Sequence, residues 1–432
     1  MRLATSTVYD NNVNTLTNTQ ATLSAQQDRV SSGKRVLKAS DDPVSAAAAE
    51  RALNRISQLK AEQRALDVQR NAMATAESTL GDAGTLIQRF RELTVSAGSA
   101  GTNASDRASI ATEMHSIREQ LFSLANTKDS NGIYLFSGLE SAKVQGISTP
   151  AFTTTGAEPN LVYQYNGTAG QNAPTQEAVP FTMDGNAAWM QVPKGNGVYD
   201  VNVGATNTGQ IATDVGQFSI VPAATAMTNS YQIKFNVTPT PSGATTTTYD
   251  IIDTTVPGTP FTLVAATPYV AGQPITFSAP NAAAGTETVS LTVNGVPNDT
   301  DTVDIAPYDP VTNPANGSIF ALMDKVINGV NNTASTGPQL AQTLAQGLSR
   351  IDAGSDKLLS ARAQAGIWLN RADGVTSAND ALSTQLESDR SNAQDLDMVK
   401  GISDMQKTQT GYQAALQSYA QIQKLSLFDY IK

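Results

Sequence analysis

The chain has 432 residues, a formal charge of −10, no cysteine and a single histidine, His115. Without cysteine there is no disulfide, thiolate metal site or cysteine nucleophile, and one histidine excludes every two-histidine arrangement, the His-Glu-x-x-His zinc helix included. The opening MRLATSTVYDNNVNT lacks an apolar stretch of signal-peptide length, and no run approaches the roughly 18 apolar residues of a membrane span, so neither a cleaved secretory signal nor a membrane anchor is expected.

Residues 13–30 place Val13, Leu16, Gln20, Leu23, Gln27 and Val30 at alternating steps of three and four, a heptad stripe with two glutamines on its seam. Such a helix is made to pack on another helix, and it should stop at Ser31-Ser32-Gly33. A second helix is announced by Ser40-Asp41-Asp42-Pro43, where Asp42 caps the free amides and Pro43 supplies the preset φ of the first turn. It should run to about Ser96, with Leu59, Leu66, Met73, Leu80 and Ile87 recurring every seven residues. A third helix is expected from Asn103 as cap, through Asp106 in the first turn, to near Asn126; its stripe is Ile110, Met114, Ile117, Leu121 and Leu124.

After Gly138 the pattern changes to period two. Seventeen of the 19 prolines lie between Pro150 and Pro314, which forbids long helices there. Strands are predicted at 162–165, 231–237 and 289–293, with Asn166-Gly167 and Asn294-Gly295 as type I′ hairpin turns. Residues 141–317 carry three basic side chains, Lys143, Lys194 and Lys234, against twelve acidic ones, so most of the negative charge lies in the middle of the chain. An acidic, Thr-rich middle surface argues against nucleic acid and anionic membrane as partners. The tract Thr245–Thr248 is read as β-propensity plus solubility, with glycosylation or adhesion as the alternative.

Helix returns after Asn316-Gly317 and again beyond Pro338, with Leu344, Ile351, Leu358 and Ala365 every seven residues. The last stripe runs Met398, Ile402, Met405, Gln409, Tyr412, Leu416, Tyr419 and Gln423, glutamines included. The expected fold is therefore α+β: a long helical coiled coil or bundle made by pairing the N- and C-terminal segments, with an inserted antiparallel β domain of one or two lobes. The expected boundaries are a terminal helix at 1–40, the first part of a helical bundle at 41–140 and the β region at 141–317. The second part of the bundle follows at 318–390, then a terminal helix at 391–432.

Ser31-Ser32-Gly33-Lys34-Arg35-Val36, followed by Ala39-Ser40-Asp41-Asp42-Pro43, resembles the N-terminal signature shared by flagellins and the hook-associated protein 3 family. Three further segments resemble the hook-associated protein 3 family in particular: the opening Met1-Arg2 with Thr5, the stretch Asn126–Gly138 containing Asn131-Gly-Ile-Tyr134-Leu-Phe136, and the ending Gln423-Lys-Leu425-Ser-Leu427-Phe428-Asp429-Tyr430-Ile431. Tyr165-Asn-Gly167-Thr-Ala-Gly-Gln171 is similar to the segment that opens the family's outer domain. The likeness covers roughly residues 1–140 and 318–432. It implies a FlgL-type structural subunit, exported by the flagellar type III pathway with the help of an export chaperone. Its ends would become helical on meeting neighbours, and its copies would form a ring between hook-associated protein 1 and flagellin, outside the cell. On that reading the terminal segments are assembly helices. Their partner-binding residues are Val13, Leu16, Leu23 and Val30 at one end and Met405, Tyr412, Leu416, Tyr419, Ile422, Leu425, Leu427 and Phe428 at the other. The last three are alternatively a docked terminal helix, and contacts within and between subunits stay unseparated.

No enzyme, cofactor or metal is expected: paired ligands, a nucleophile motif and a phosphate-cradling loop are all missing from the sequence. His115 reads as a solvated or partly packed helix histidine, and the Asp41-Asp42 pair as a capping element rather than a calcium or acid–base pair. Flagellin proper and a glycan-binding β lobe are the competing readings.

Overall fold

A computed structural model of the chain describes residues 5–99, 101–139, 149–158, 161–171, 179–193, 195, 198–204, 206–221, 227–239, 245–256, 258–280, 285–308, 317–332 and 337–430, without the side chains of 5–9, 220–221, 338 and 422–430. The described elements are α1 (Thr5–Ser32), α2 (Pro43–Ala97), α3 (Ala104–Ala125), β1 (Phe152–Thr155), β2 (Val162–Tyr165), β3 (Tyr199–Val203), β4 (Gln210–Thr213), β5 (Gln217–Val221), β6 (Tyr231–Pro239), β7 (Thr245–Asp253), β8 (Phe261–Pro268), β9 (Pro274–Pro280), β10 (Thr286–Val296), β11 (Thr302–Pro307), α4 (Ile319–Asn331), α5 (Gly337–Gln394) and α6 (Met398–Tyr430). Helical ends around an antiparallel β region give the α+β class that proline segregation and the change of period predict. The chain divides into two compact units, one from residues 1–66 and 373–432, the other from residues 67–372.

In the second unit the heptad positions Met73, Leu80 and Ile87 of α2, Met114, Ile117 and Leu121 of α3, and Leu344, Ile351, Leu358 and Ala365 of α5 are buried. Helix α3 begins with a capping box: Asn103 Oδ1 accepts from the amide of Asp106 at 2.9 Å, and Asp106 Oδ2 accepts from the amide of Asn103 at 3.3 Å. Helix α4 packs on α3 and starts at Ser318, whose hydroxyl accepts from the amides of Phe320 and Ala321.

Phe320 is the centre of an aromatic cluster, with ring centroids 5.2 Å from Phe122, 5.3 Å from Tyr163, 5.8 Å from Trp189 and 6.1 Å from Phe152. The two-stranded ribbon β1–β2 and the π-helical turn Asn186–Met190 therefore pack with the helices. The change of period and the proline distribution assigned these segments to the β region beginning at 141; the aromatic packing groups them with α3 and α4.

Strands β3–β11 form two sheets, one of order β3-β11-β6-β7-β8 and one in which the long β10 pairs with β9 on one side and with β4 and β5 on the other. Their inward residues, among them Tyr199, Ile211, Tyr231, Ile233, Phe235, Phe277, Val289, Leu291 and Val303, make one shared core. Each side chain of this size contributes about 1.5–3 kcal/mol on full burial. Strand β10 shows the alternation cleanly: Glu287, Val289, Leu291 and Val293 point in while Thr286, Thr288, Ser290 and Thr292 point out.

Both predicted hairpin turns are corrected. Asn294-Gly295 lies inside β10, opposite Ala212 and Ile211 of β4. Gly295 is there because the neighbouring backbone comes close: a Cβ would sit 1.8 Å from the carbonyl oxygen of Gln210, and φ is +96°. Asn166-Gly167 follows β2, whose partner β1 precedes it, so no hairpin closes there.

Candidate assembly surface of the terminal helices

In the first unit, α1 ends at Ser32 and Gly33 adopts φ +68°, the left-handed conformation that terminates a helix at its first non-helical residue. The carbonyl of Gly33 accepts the amide of Leu396 at 2.8 Å, and the amide of Arg35 donates to the carbonyl of Gln394 at 2.8 Å. Arg35 is the hub of this joint. Its guanidinium donates to the carbonyl of Ala393 at 2.8 Å, to the Ser45 hydroxyl at 3.2 Å and to Asp42 at 3.2 Å.

The two aspartates divide the remaining work. Asp41 Oδ2 accepts from the amides of Leu37 and Lys38, both at 3.1 Å, and closes the loop. Asp42 Oδ1 accepts from the amide of Ser45 at 3.0 Å, directly before Pro43, the first residue of α2. Hydrogen bonding by Ser45, through its side chain and then its amide, with Arg35 adding to it, brings the Asp42 carboxyl down to about 2. Asp397 repeats the device at α6, accepting from the amide of Lys400 at 3.1 Å.

Because the end of α1 is tied to the start of α6, the two helices pack antiparallel. Among the predicted partner-binding residues, Leu16, Leu23, Val30, Met405, Tyr412 and Tyr419 are half-buried, whereas Val13 and Leu416 are exposed at 37% and 42%. The covered stripe on α1 is Asn12, Leu16, Thr19, Leu23, Gln26 and Val30, and that on α6 is Gly401, Met405, Thr408, Tyr412, Ala415 and Tyr419. Both repeat by four and three, shifted by one residue at alternate positions from the predicted seam. Gln20, Gln27 and Gln409 consequently lie outside it, and Gln26 lies in it. The intramolecular contact uses one flank of each apolar stripe, leaving Val13, Met398, Ile402 and Leu416 on the uncovered flank. The side chains of Ile422, Leu425, Leu427 and Phe428 lie outside the described residues, as do Met1 and Arg2.

In the second unit the other two signature segments interlock. The amide of Leu139 donates to the carbonyl of Thr168 at 2.9 Å, that of Gly138 to Met183 at 2.9 Å, and the Thr182 hydroxyl to Gly138 at 2.7 Å. Gly138 has φ +64°, and a Cβ on it would lie 2.1 Å from the carbonyl oxygen of Thr168. Gln171 accepts the indole N–H of Trp368 at 3.1 Å, which ties the segment to α5.

His115, Glu119 and Glu158 form a metal-like trio whose ligand atoms all lie within 4.8 Å of one another. The Arg118 guanidinium fills the space between them: Nη2 is 2.7 Å from Glu158 and 3.1 Å from His115 Nε2, and Nη1 bonds Glu119. The carboxylates therefore already hold an internal cation. Arg118, only 3% exposed, is also ion-paired with Asp324 at 2.8 Å, and Tyr163 donates to Asp324 at 2.6 Å. Sequence patterning gave no sign of this network, because neither Arg118 nor Asp324 lies in a recognisable motif.

Residues 3–141 match the bacterial flagellin N-terminal helical region, and residues 348–431 match the bacterial flagellin C-terminal helical region, together just over half of the chain. The chain belongs to the flagellin superfamily. Within the superfamily, it is 37% identical over 145 residues to flagellar hook-associated protein 3 of Salmonella typhimurium and 36% identical over 145 residues to that of Escherichia coli. These matches span 33% of this chain and 44% of either relative's length. Two solved structures are similar over more of it. FlgL of Xanthomonas campestris is 27% identical with a TM-score of 0.55, covering 78% of this chain and 99% of its own. Flagellar hook-associated protein 3 of Legionella pneumophila is 26% identical with a TM-score of 0.60, covering 78% and 98%. The shared flagellin regions contain both the joint and the terminal helices.

Proposed function

We propose that this chain is a non-enzymatic structural subunit of the bacterial flagellum. It forms the hook–filament junction as a ring of copies between hook-associated protein 1 and flagellin. It leaves the cell through the flagellar type III pathway, escorted by an export chaperone, and works outside the cell without a cofactor, nucleic acid or membrane partner. Residues 1–40 and 391–432 are its assembly helices, residues 41–140 and 318–390 its helical bundle, joined by 149–193, and the β sandwich is its outer domain.

The observation that carries this reading is the half-used stripe. Helices α1 and α6 cover one flank of each other and leave Val13, Met398, Ile402 and Leu416 in water. An apolar flank on a coiled-coil helix is completed by another helix, and neighbouring subunits, hook-associated protein 1 and flagellin supply such helices. The likeness to a protein described as the flagellar junction protein of Legionella pneumophila, 25% identical with a TM-score of 0.57, supports the same assignment.

A deletion strain tests it. Cells lacking the protein should build hooks and secrete unassembled flagellin into the medium, and re-expression should restore filaments. Normal filaments in the deletion strain would contradict the reading, and complete loss of filament protein would point to flagellin proper.

A further inference from the structure

Helix α5 presents two different faces within the second unit. Leu344, Ile351 and Leu358 are buried in the helical core. Gln339, Gln342, Gln346 and Arg350, stepping by three and four, instead meet the β sandwich. Gln339 donates to the carbonyl of Asn207 at 3.0 Å, Gln342 accepts the amide of Thr213 at 2.6 Å, and Gln346 donates to the carbonyl of Val201 at 2.8 Å. Arg350 pairs with Asp200, and both side chains are largely buried.

Two properties of this seam are unusual for a contact between a helix and a sheet. The seam adds no apolar side chain to the sandwich core, since the described hydrophobic residues that form that core and pack against it all come from the sandwich itself. Two of the bonds reach β3 at Val201 and β4 at Thr213, strands that end their sheets, and the third reaches Asn207 between those strands. Glutamines thus satisfy edge groups that would otherwise be open to strand pairing. Crevices remain on both sides of Arg350, one lined by Gly195, Val201 and Val215, the other by Leu322, Lys325 and Thr343.

We propose that this face of α5 is a polar latch: the sandwich is docked on the helices by hydrogen bonds and the Arg350–Asp200 pair, and it can release and swing as a rigid body without unfolding. The physical reason lies in what replaces each contact. A hydrogen bond broken at the seam is exchanged for one to water, so its net contribution is small, whereas separating an apolar interface exposes surface that water cannot satisfy. The ion pair is the exception, because in the closed seam each of these largely buried charges is balanced by the other, and loss of either partner leaves a buried charge that release into water relieves. Arg350–Asp200 therefore sets the threshold for release, and the glutamines set the docked orientation.

The cysteine-free chain allows a direct test. Spin labels at Val296→Cys and Leu359→Cys, both exposed positions, report the sandwich–helix distance by pulsed dipolar spectroscopy in the full-length protein. The unaltered seam should give one narrow distribution. Arg350→Gln should broaden it at least twofold while circular dichroism and the thermal midpoint of the sandwich are retained, and Asp200→Asn, a separate isosteric change, should do the same. The latch is overturned if both variants keep the narrow distribution, or if broadening in both comes only with loss of the sandwich's folded signal.

Discussion

The amide of Leu396 donates to the carbonyl oxygen of Gly33 at 2.8 Å, so the residue that stops α1 also fixes the place where α5 gives way to α6. Every consequence for the terminal helices follows from that tie. It sets their antiparallel direction, the register in which their stripes meet and the flank left uncovered.

The joint should respond to acid through Asp42. Its folded pKa, about 2, lies below the ordinary carboxylate value of 3.8, so the stabilisation it supplies is fully present above about pH 4 and is lost as pH falls toward 2. Thermal melting between pH 5 and about 2 should show a steeper loss of stability for the unaltered chain than for Asp42→Asn, which keeps a good cap without the titrating charge. Calcium should leave both melting points unchanged, because the carboxylates serve backbone amides.

The Arg118–Asp324 pair should behave as a buried charge pair. Arg118→Ala strands the Asp324 carboxylate and is expected to cost about 3–5 kcal/mol in urea unfolding. Arg118→Met combined with Asp324→Leu should recover most of that loss, since neither charge then remains to be satisfied. Equal instability of the single and double variants would show that the network is held by something other than charge balance.

Two glycines of the same signature segment should differ sharply. Gly138→Ala meets both left-handed strain, about 1–2 kcal/mol, and the carbonyl of Thr168, so its cost should exceed that strain. Gly132 has φ +81° but nothing within 4 Å of its would-be Cβ, so Gly132→Ala should cost only the conformational strain, about 1–2 kcal/mol. Chemical denaturation of the two variants side by side distinguishes close approach from backbone conformation.

The uncovered flank should be dispensable for folding. Ile402→Asp and Leu416→Asp change exposed positions and should leave stability within about 0.5 kcal/mol, yet abolish filament growth in complemented cells. Tyr412→Asp, on the covered flank, should destabilise the isolated chain as well.

What could be read from the sequence follows the distance over which each signal acts. Capping by Asp42 and Asn103, helix arrest at Gly33 and the heptads through Met73, Leu344 and Leu358 are local patterns, and they were legible. The seam shift by one residue was not, because Val13 and Asn12 both continue a three–four repeat and only the tertiary tie at Gly33 chooses between them. The hairpin signal at Asn294-Gly295 misled because a glycine needed for close approach of β4 looks the same as one needed for a turn. Pairings such as Arg118–Asp324, Arg350–Asp200 and Gln171–Trp368 join residues far apart in the chain, 150 positions for the second and 197 for the third, and leave no trace in periodicity.

The central claim, that other subunits complete the uncovered flank of α1 and α6, is tested most directly by cysteine accessibility. Ile402→Cys and Leu416→Cys, placed singly in this cysteine-free chain, can be exposed to a maleimide probe in the purified protein and in intact flagella, with exposed Val296→Cys as a control. All three should label rapidly in the purified protein, and in flagella Ile402→Cys and Leu416→Cys should be protected while the control is not. Equal labelling of the two flank positions in both states, with filaments intact, would contradict it.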